Sequence, residues 1–492
     1  MSGASIADQR GEGPRHRYQD IGLVIGPLLA IVLWLLPAPA DMGGDAWIVV
    51  GLVAWMAAWW ATEAIPVPAT SLLPLIVLPL SGVASPAEAS RPFTEPVIFL
   101  LLGGFIMAMA MQRWGLHKRI ALNIVARAGD HPARLILGFM AAAALLSMWI
   151  SNTATTLMMI PIALTTATTL LGEADTEHPF LKALLLGVAW SASIGGLGTI
   201  IGTPPNAFVV GFVRETQGLD IAFIEWMAFG VPVVALMVPA AWVVVTRLSF
   251  RFDPRELAGG HKVVAEQLAA LGPMSRAERR TAAVFAVVGL AWATRLLLND
   301  LPGFGGLTDM GIAVIGAMAM FLVPAGRGTA RGTRLLNWSW AVRLPWGVIL
   351  LFGGGLSLAA AIQATGLAEW LGTALSPLTA MPLIVIMLAL VLLIIFLTEL
   401  TSNTATVAAL VPVLASIAIA GDFPAIYLAA PAAMAGSSAF MLPVATAPNA
   451  IVFASGHVHI PDMVKAGLRL NLLGTLLITA ACWAIVPAVF GN

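Results

Sequence analysis

The chain has 492 residues, 59% of them hydrophobic and only 10% charged, with a formal net charge of zero. Soluble domains carry about 25% charged residues, so a soluble globular protein is excluded and a polytopic, all-α membrane protein is expected. The zero balance offers nothing to the phosphates of a nucleic acid, and the single cysteine, Cys482, cannot form an intrachain disulfide.

Residues 1–20 are polar, include Arg10, Arg15 and Arg17, and read as a cytoplasmic tail. No signal-peptide pattern precedes the first apolar run, at 21–38, which lacks a small-residue cleavage site and reads as a retained span. Further spans are expected near 46–62, 69–84 and 96–112. Residues 113–128 are basic and amphipathic, as in a helix lying along the inner face. Two shorter runs, 135–150 and 154–171, come next, then spans near 183–212 and 226–248. The connection 249–280, most polar over 256–280, is expected in the cytoplasm with some helix. Beyond it lie runs near 281–299, 307–324 and 346–363, the pair 383–400 and 405–420, then 425–455 and 468–489.

The pentapeptide Ser-Asn-Thr-Ala-Thr occurs at 151–155 and again at 402–406, 251 positions apart. The same offset relates Gly103 and Gly104 to Gly354 and Gly355, Gln112 to Gln363, Gly115 and Leu116 to Gly366 and Leu367, and Pro161 to Pro412. The chain is therefore a duplicated unit, with a first half at 21–248 and a second at 281–492. The runs flanking each pentapeptide are about 16 to 18 residues. At 1.5 Å per residue they reach roughly 24 to 27 Å, short of the roughly 30 Å hydrocarbon core. Each pair is expected to be a re-entrant hairpin that turns at Ser-Asn-Thr and leaves by the side it entered.

Charge asymmetry orients this layout. With eleven crossings and two hairpins, the segments holding Arg113, Lys118, Arg119, Arg127 and Arg134 fall inside, as do those with Arg247 to Arg280 and Arg327 to Arg343. Connections near 38–45, 298–306 and 370–380 fall outside and hold no Lys or Arg, while Arg91 and Arg214 dissent. The N-terminus is then inside and the C-terminus outside. Segment 365–374, the repeat partner of 113–128, is far less basic, as an outer-face counterpart should be. An odd number of crossings per repeat inverts the halves, a transporter signature.

Ser151, Asn152 and Thr153 precede a helix start, where unpaired N–H groups favour anions. The carbonyls and side-chain oxygens of the same tip suit a small hard cation, and Ser402, Asn403 and Thr404 repeat the pattern. Ser147 and Thr398, one turn earlier, share the offset. Two breaks, Gly202-Thr203-Pro204-Pro205-Asn206 and Ala445-Thr446-Ala447-Pro448-Asn449, interrupt long apolar runs and free carbonyls for cation binding. Two matched tips and two matched breaks point to one composite site in a secondary transporter. Few ionisable residues fall deep in the apolar runs, Glu63 and Glu399 being the exceptions. No proton-relay chain, nucleotide-binding loop or hydrolase motif is present, which disfavours a proton-coupled antiporter, an ATP-driven pump and a membrane-embedded hydrolase.

The paired Ser-Asn-Thr motifs, the Gly-Thr-Pro-Pro-Asn break and the stretch from Ser438 to Thr446 resemble the divalent anion/sodium symporter family of di- and tricarboxylate and sulfate carriers. The resemblance runs over residues 20–490. It implies a homodimer whose protomers each have a scaffold domain and a mobile transport domain moving as an elevator. It implies one sodium site at Ser147, Ser151, Asn152 and the Gly202 carbonyl, and another at Thr398, Thr401, Asn403 and the Ala445 carbonyl. Substrate carboxylates would meet Asn152, Thr153 and Thr203 from one half and Asn403, Thr404 and Thr446 from the other. The expectation is a carrier in a bacterial inner membrane that imports a C4-dicarboxylate such as succinate with two or more sodium ions. Sulfate or tricarboxylate transport and sodium-independent exchange are the alternatives. In some exchangers of the family cationic side chains stand in for the ions; the matching positions here are neutral oxygen donors, which favours sodium. Ala447 departs from the usual Thr-Pro-Pro-Asn, which puts the second break and the substrate in question.

Overall fold

A computed structural model describes residues 17–171, 177–253, 260–326 and 328–491. Among them the chain is helical, with one isolated antiparallel bridge between Pro324 and Arg334. Ten helices are long and apolar enough to cross a bilayer, or eleven if the pair Leu367–Ala380 and Leu383–Leu397, bent by 112°, is counted as one span. Proline sets many of the starts: Pro96, Pro132, Pro179 and Pro204 each open a helix, where the missing N–H has no partner to lose.

Several expected spans differ. The run at 69–84 is the shorter Val67–Ser81, stepped at residues 71–73 just before Pro74. The run at 307–324 is Asp309–Leu322, begun by the Thr308 side chain capping Gly311 N–H and ended just before Pro324. At 14 residues it reaches about 21 Å. The last run lengthens to Ile460–Phe490. The first helix already starts at Arg17, so residues 17–20 of the expected tail are helical, while 1–16 lie outside the described residues. In the polar connection, Gly260–Ala270 is helical, and Ser275 with Glu278 forms a capping box that starts Arg276–Asn299. Residues 254–259 lie outside the described set.

Burial grades the helices. In Pro179–Gly196, 89% of the residues are buried inside the protein; in the apolar 18-residue stretches of Arg17–Leu35 and Arg276–Asn299 only 17% and 22% are. The first is the centre of the molecule, and the other two present apolar flanks to lipid. Trp190, Phe180, Phe208, Phe212 and Trp226 fill the middle, with Trp190 packed on Phe440 of the second half. The repeat survives in local geometry. Gly115 (φ 71°) and Gly366 (φ 75°) both adopt the left-handed conformation that glycine reaches without a steric penalty. Each turns the chain into a short amphipathic helix, Leu116–Val125 and Leu367–Leu375.

Candidate functional site

Each pentapeptide joins two helices: Pro132–Ser147 to Asn152–Leu171, and Leu383–Leu397 to Asn403–Ala420. Ser151 caps the outgoing helix of the first tip by accepting from Ala154 N–H at 3.3 Å. Ser402 begins the second in extended conformation, without a side-chain cap. The broken helices meet these tips. Pro179–Gly196 stops, and the chain resumes at Pro204–Gln217; Ile426–Gly436 stops, and the chain resumes at Ala447–Ala454.

Both tips and both breaks line one cavity of about 1170 Å³. Ser151, Asn152, Thr153, Gly202 and Thr203 contribute from the first half, and Thr401, Asn403, Thr404, Ala445 and Thr446 from the second. The breaks also touch across the molecule, Thr203 Oγ1 lying 3.1 Å from Ser437 Oγ. Of the expected site residues, Ser147 and Thr398 lie off the cavity wall, fully buried behind the tips. Ser147 Oγ donates to Asn152 Oδ1 at 2.5 Å, and Thr398 Oγ1 donates back to the Ile394 carbonyl.

The oxygen set suits a hard cation, which takes carbonyl, amide and hydroxyl ligands. Near the first tip, a Cβ added to Gly196 would lie 2.8 Å from Asn152 Oδ1 and 3.0 Å from the Gly202 carbonyl oxygen. Two of the expected sodium ligands therefore converge beside a residue that has no side chain to fill the space. At the second tip the buried Asn403 Oδ1 has no hydrogen-bond partner, an acceptor whose desolvation something must offset. Among the described residues no group of three His, Cys, Asp or Glu side chains comes together, and the oxygens that the tips and breaks bring to the cavity are neutral.

Each break is held by an asparagine whose role the motif alone did not give. Asn206 Nδ2 donates toward the carbonyls of Gly196, Leu197 and Thr199 at 2.8–3.3 Å. Asn449 Nδ2 does the same for Ala439 and Leu442 at 3.3 and 3.0 Å. The offset between these partners is 243 rather than 251, so the second half is shorter between tip and break. Thr203 (φ −144°, ψ 141°) and Thr446 (φ −144°, ψ 150°) enter their helices with nearly the same backbone. The missing proline at Ala447 therefore leaves the start of the second helix intact.

The ties between tip and break are not copies. In the first half Thr199 Oγ1 donates to the Met148 carbonyl at 2.6 Å. In the second, the buried Glu399 carboxylate accepts from the backbone N–H groups of Phe440, Met441 and Leu442 at 2.7–2.9 Å and from Asn471 Nδ2 at 2.8 Å. These four donors hold the stretch leading to Ala445 and Thr446 against the second tip. Sequence reading flagged Glu399 as an isolated carboxylate without finding this partner set. Glu63, the other flagged carboxylate, is exposed on the cavity wall, at the left-handed end (φ 46°) of Gly44–Thr62.

A model of the sodium:sulfate symporter transmembrane region matches residues 19–489. The chain belongs to this family. Proteins of the sodium:sulfate symporter family are transporters, not enzymes. Two relatives, each named sodium-dependent dicarboxylate transporter SdcS, come from Staphylococcus saprophyticus and Staphylococcus aureus. Each is 41% identical over 480 residues, covering 96% of this chain and 92% of the relative. Among solved structures, the Alcanivorax borkumensis YdaH transporter is similar with a TM-score of 0.57 at 16% identity, over 96% of this chain and 98% of that one. Neisseria gonorrhoeae MtrF gives 0.58 at 12% identity, over 96% of each chain. At such identities the likeness supports the fold of this symporter-family chain and nothing about its cargo.

Proposed function

We propose that the chain is a sodium-coupled secondary transporter that imports C4-dicarboxylates such as succinate. The carrying observation is that both tips and both breaks line one cavity, presenting oxygen ligands and helix N-termini but, among the described residues, no buried cationic side chain to balance an anion. Co-bound sodium and helix dipoles then neutralise the dianion. The relatives named as sodium-dependent dicarboxylate transporters support this choice of cargo.

In this reading one sodium ion uses Ser147, Ser151, Asn152 and the Gly202 carbonyl; another uses Thr398, Thr401, Asn403 and the Ala445 carbonyl. The dianion docks against Asn152, Thr153, Thr203, Asn403, Thr404 and Thr446. Sodium binds first and orders the tips, the dicarboxylate follows, and the loaded transport domain crosses as an elevator against a scaffold held in a homodimer. The tips belong to opposed re-entrant hairpins of an inverted repeat spanning 21–248 and 281–492, with the connection 249–280 inside. The cavity wall includes Tyr18 in the first turn of the first helix, Glu63 at the end of the second, and Arg343. By the positive-inside count these lie on the cytoplasmic side of a bacterial inner membrane, so the conformation is inward-open. The C-terminus is outside.

Uptake into proteoliposomes with sodium replaced by choline at fixed pH tests the coupling, and undiminished uptake would reject it. Asn152→Ala and Asn403→Ala should each abolish sodium-dependent uptake. The family description names sulfate, which makes sulfate the second reading. Competition of succinate, malate, citrate and sulfate against one labelled dicarboxylate separates the two, and sulfate outcompeting succinate would reverse the assignment.

A further inference from the structure

The cavity wall carries two charged side chains, Glu63 and Arg343, among its described residues. Arg343 is exposed, in the connection that leads into Trp346–Ala364. Neighbouring arginines are engaged elsewhere. Arg113 reaches the Leu335 carbonyl, Arg334 donates to the Leu322 carbonyl at 2.7 Å, Arg280 donates to the Pro324 carbonyl at 2.6 Å, and Arg119 pairs with Glu278. Among the described residues Arg343 has no carboxylate or carbonyl partner; its guanidinium sits 4.5 Å from the centre of the Trp340 ring, which also lines the cavity. The main chain of Trp340 is fixed by a cap in which Asn337 Oδ1 accepts from Trp340 N–H at 3.3 Å.

We infer that Arg343 is a reception residue for the dicarboxylate, a transit subsite that the dianion meets between the water at the cavity entrance and the tips. The inference rests on the proposed dicarboxylate function and adds a residue that neither the repeat nor the ion ligands supply. A guanidinium offers a planar pair of N–H donors matched to a carboxylate. The face of Trp340 holds the group over the cavity without neutralising it, because a cation–π contact leaves the N–H edge free. A positive charge on the wall of a low-dielectric opening also raises the local concentration of an anion and its rate of entry, an effect that fades with ionic strength. The tips themselves hold no cationic side chain, so steering has to come from the rim. The subsite is weak by construction: an exposed guanidinium can release the dianion inward to the tips or outward to the water.

The test is sodium-dependent succinate uptake into inside-out vesicles, where the Arg343 face meets the medium, measured against succinate concentration at low and high salt. For Arg343→Gln, KM should rise about three- to ten-fold with little change in maximal rate or in the sodium activation curve. The salt dependence of KM seen in the unsubstituted protein should shrink. Arg343→Lys should recover most of the steering, because it restores the charge, and Arg343→Glu should be worse than Gln. Unchanged KM and salt dependence in Arg343→Gln would overturn the inference. So would a loss of protein from the membrane with normal KM in what remains, since that would make Arg343 a lipid-headgroup anchor. If the unsubstituted protein takes up no succinate with sodium, the functional reading itself fails and this inference with it.

Discussion

Glu399 offers the sharpest test of how the second break is held. Its Oε1 accepts from Phe440 N–H, Met441 N–H and Asn471 Nδ2, and its Oε2 from Leu442 N–H. Glu399→Gln keeps the shape and one acceptor oxygen. That oxygen can face the three-donor side, which leaves an NH₂ group against Leu442 N–H. One lost bond plus the loss of charge assistance corresponds to about 1.5–3 kcal/mol. Glu399→Ala strands all four donors in a 3%-exposed site, and a larger loss is expected, at about 1–3 kcal/mol for each buried donor left unsatisfied. The segment released is the one that brings the Ala445 carbonyl to the proposed second sodium site. Since about 1.4 kcal/mol is tenfold in affinity, the sodium concentration for half-maximal uptake should rise roughly tenfold in the Gln variant and further in the Ala variant. Sodium activation curves in proteoliposomes measure this, with thermal unfolding in detergent reporting how much of the cost reaches the fold. A Glu399→Ala protein with half-saturating sodium within about twofold of the parent, and an unshifted melting temperature, would refute the reasoning.

Gly196→Ala should weaken sodium activation while leaving the protein folded, because its new methyl group would sit 2.8 Å from Asn152 Oδ1 and 3.0 Å from the Gly202 carbonyl; an unaltered activation curve would remove Asn152 and Gly202 from the ion site. Ala447→Pro should be tolerated and raise stability by about 0.4–1 kcal/mol. Thr446 already has the extended backbone that a residue before proline requires, and position 447 is the first of its helix; a lowered melting temperature would contradict this. Burial pushes the His117 imidazole below its ordinary value of 6.5. The folded state therefore keeps His117 neutral while the unfolded chain takes up a proton below pH 6.5, so stability should be highest above that pH and fall on acidification. His117→Gln should flatten that fall below pH 6.5, as read by thermal melts across pH.

The parts of the site legible in the sequence were those whose chemistry is local. Small polar residues set in apolar runs, repeated at one spacing, gave the two tips and the two breaks, because Ser-Asn-Thr and Thr-x-Pro-Asn stand out against the apolar sequence around them. The asparagines closing each break, Asn206 and Asn449, were in plain view, but their acceptors seven to ten residues earlier appear only once the helices stop. Glu399 was visible as an oddity, yet its donors lie 41 to 72 positions away, beyond any local pattern. Arg343 looked like one more cytoplasmic loop charge; its difference from Arg113, Arg280 and Arg334 is that those reach carbonyls and it reaches none among the described residues. One span end went astray where hydropathy continues past a stop, at Pro324, and the step before Pro74 went unseen, since an apolar count does not register a missing N–H.

The opposed ties at Met148 and Glu399 bear on how a doubled protein diverges. One copy uses a hydroxyl to reach a main-chain oxygen, and the other uses main-chain hydrogens to reach an acid, so donor and acceptor have changed places between equivalent positions. The two joints are not interchangeable: the Thr199 hydroxyl can donate to either kind of oxygen, but the three N–H groups gathered by Glu399 would be left short of acceptors by a single main-chain carbonyl in its place. Placing the first tip against the second break would therefore be disfavoured at this joint unless both sides are exchanged together. Kinship between the halves is better traced by which positions touch than by which letters they share.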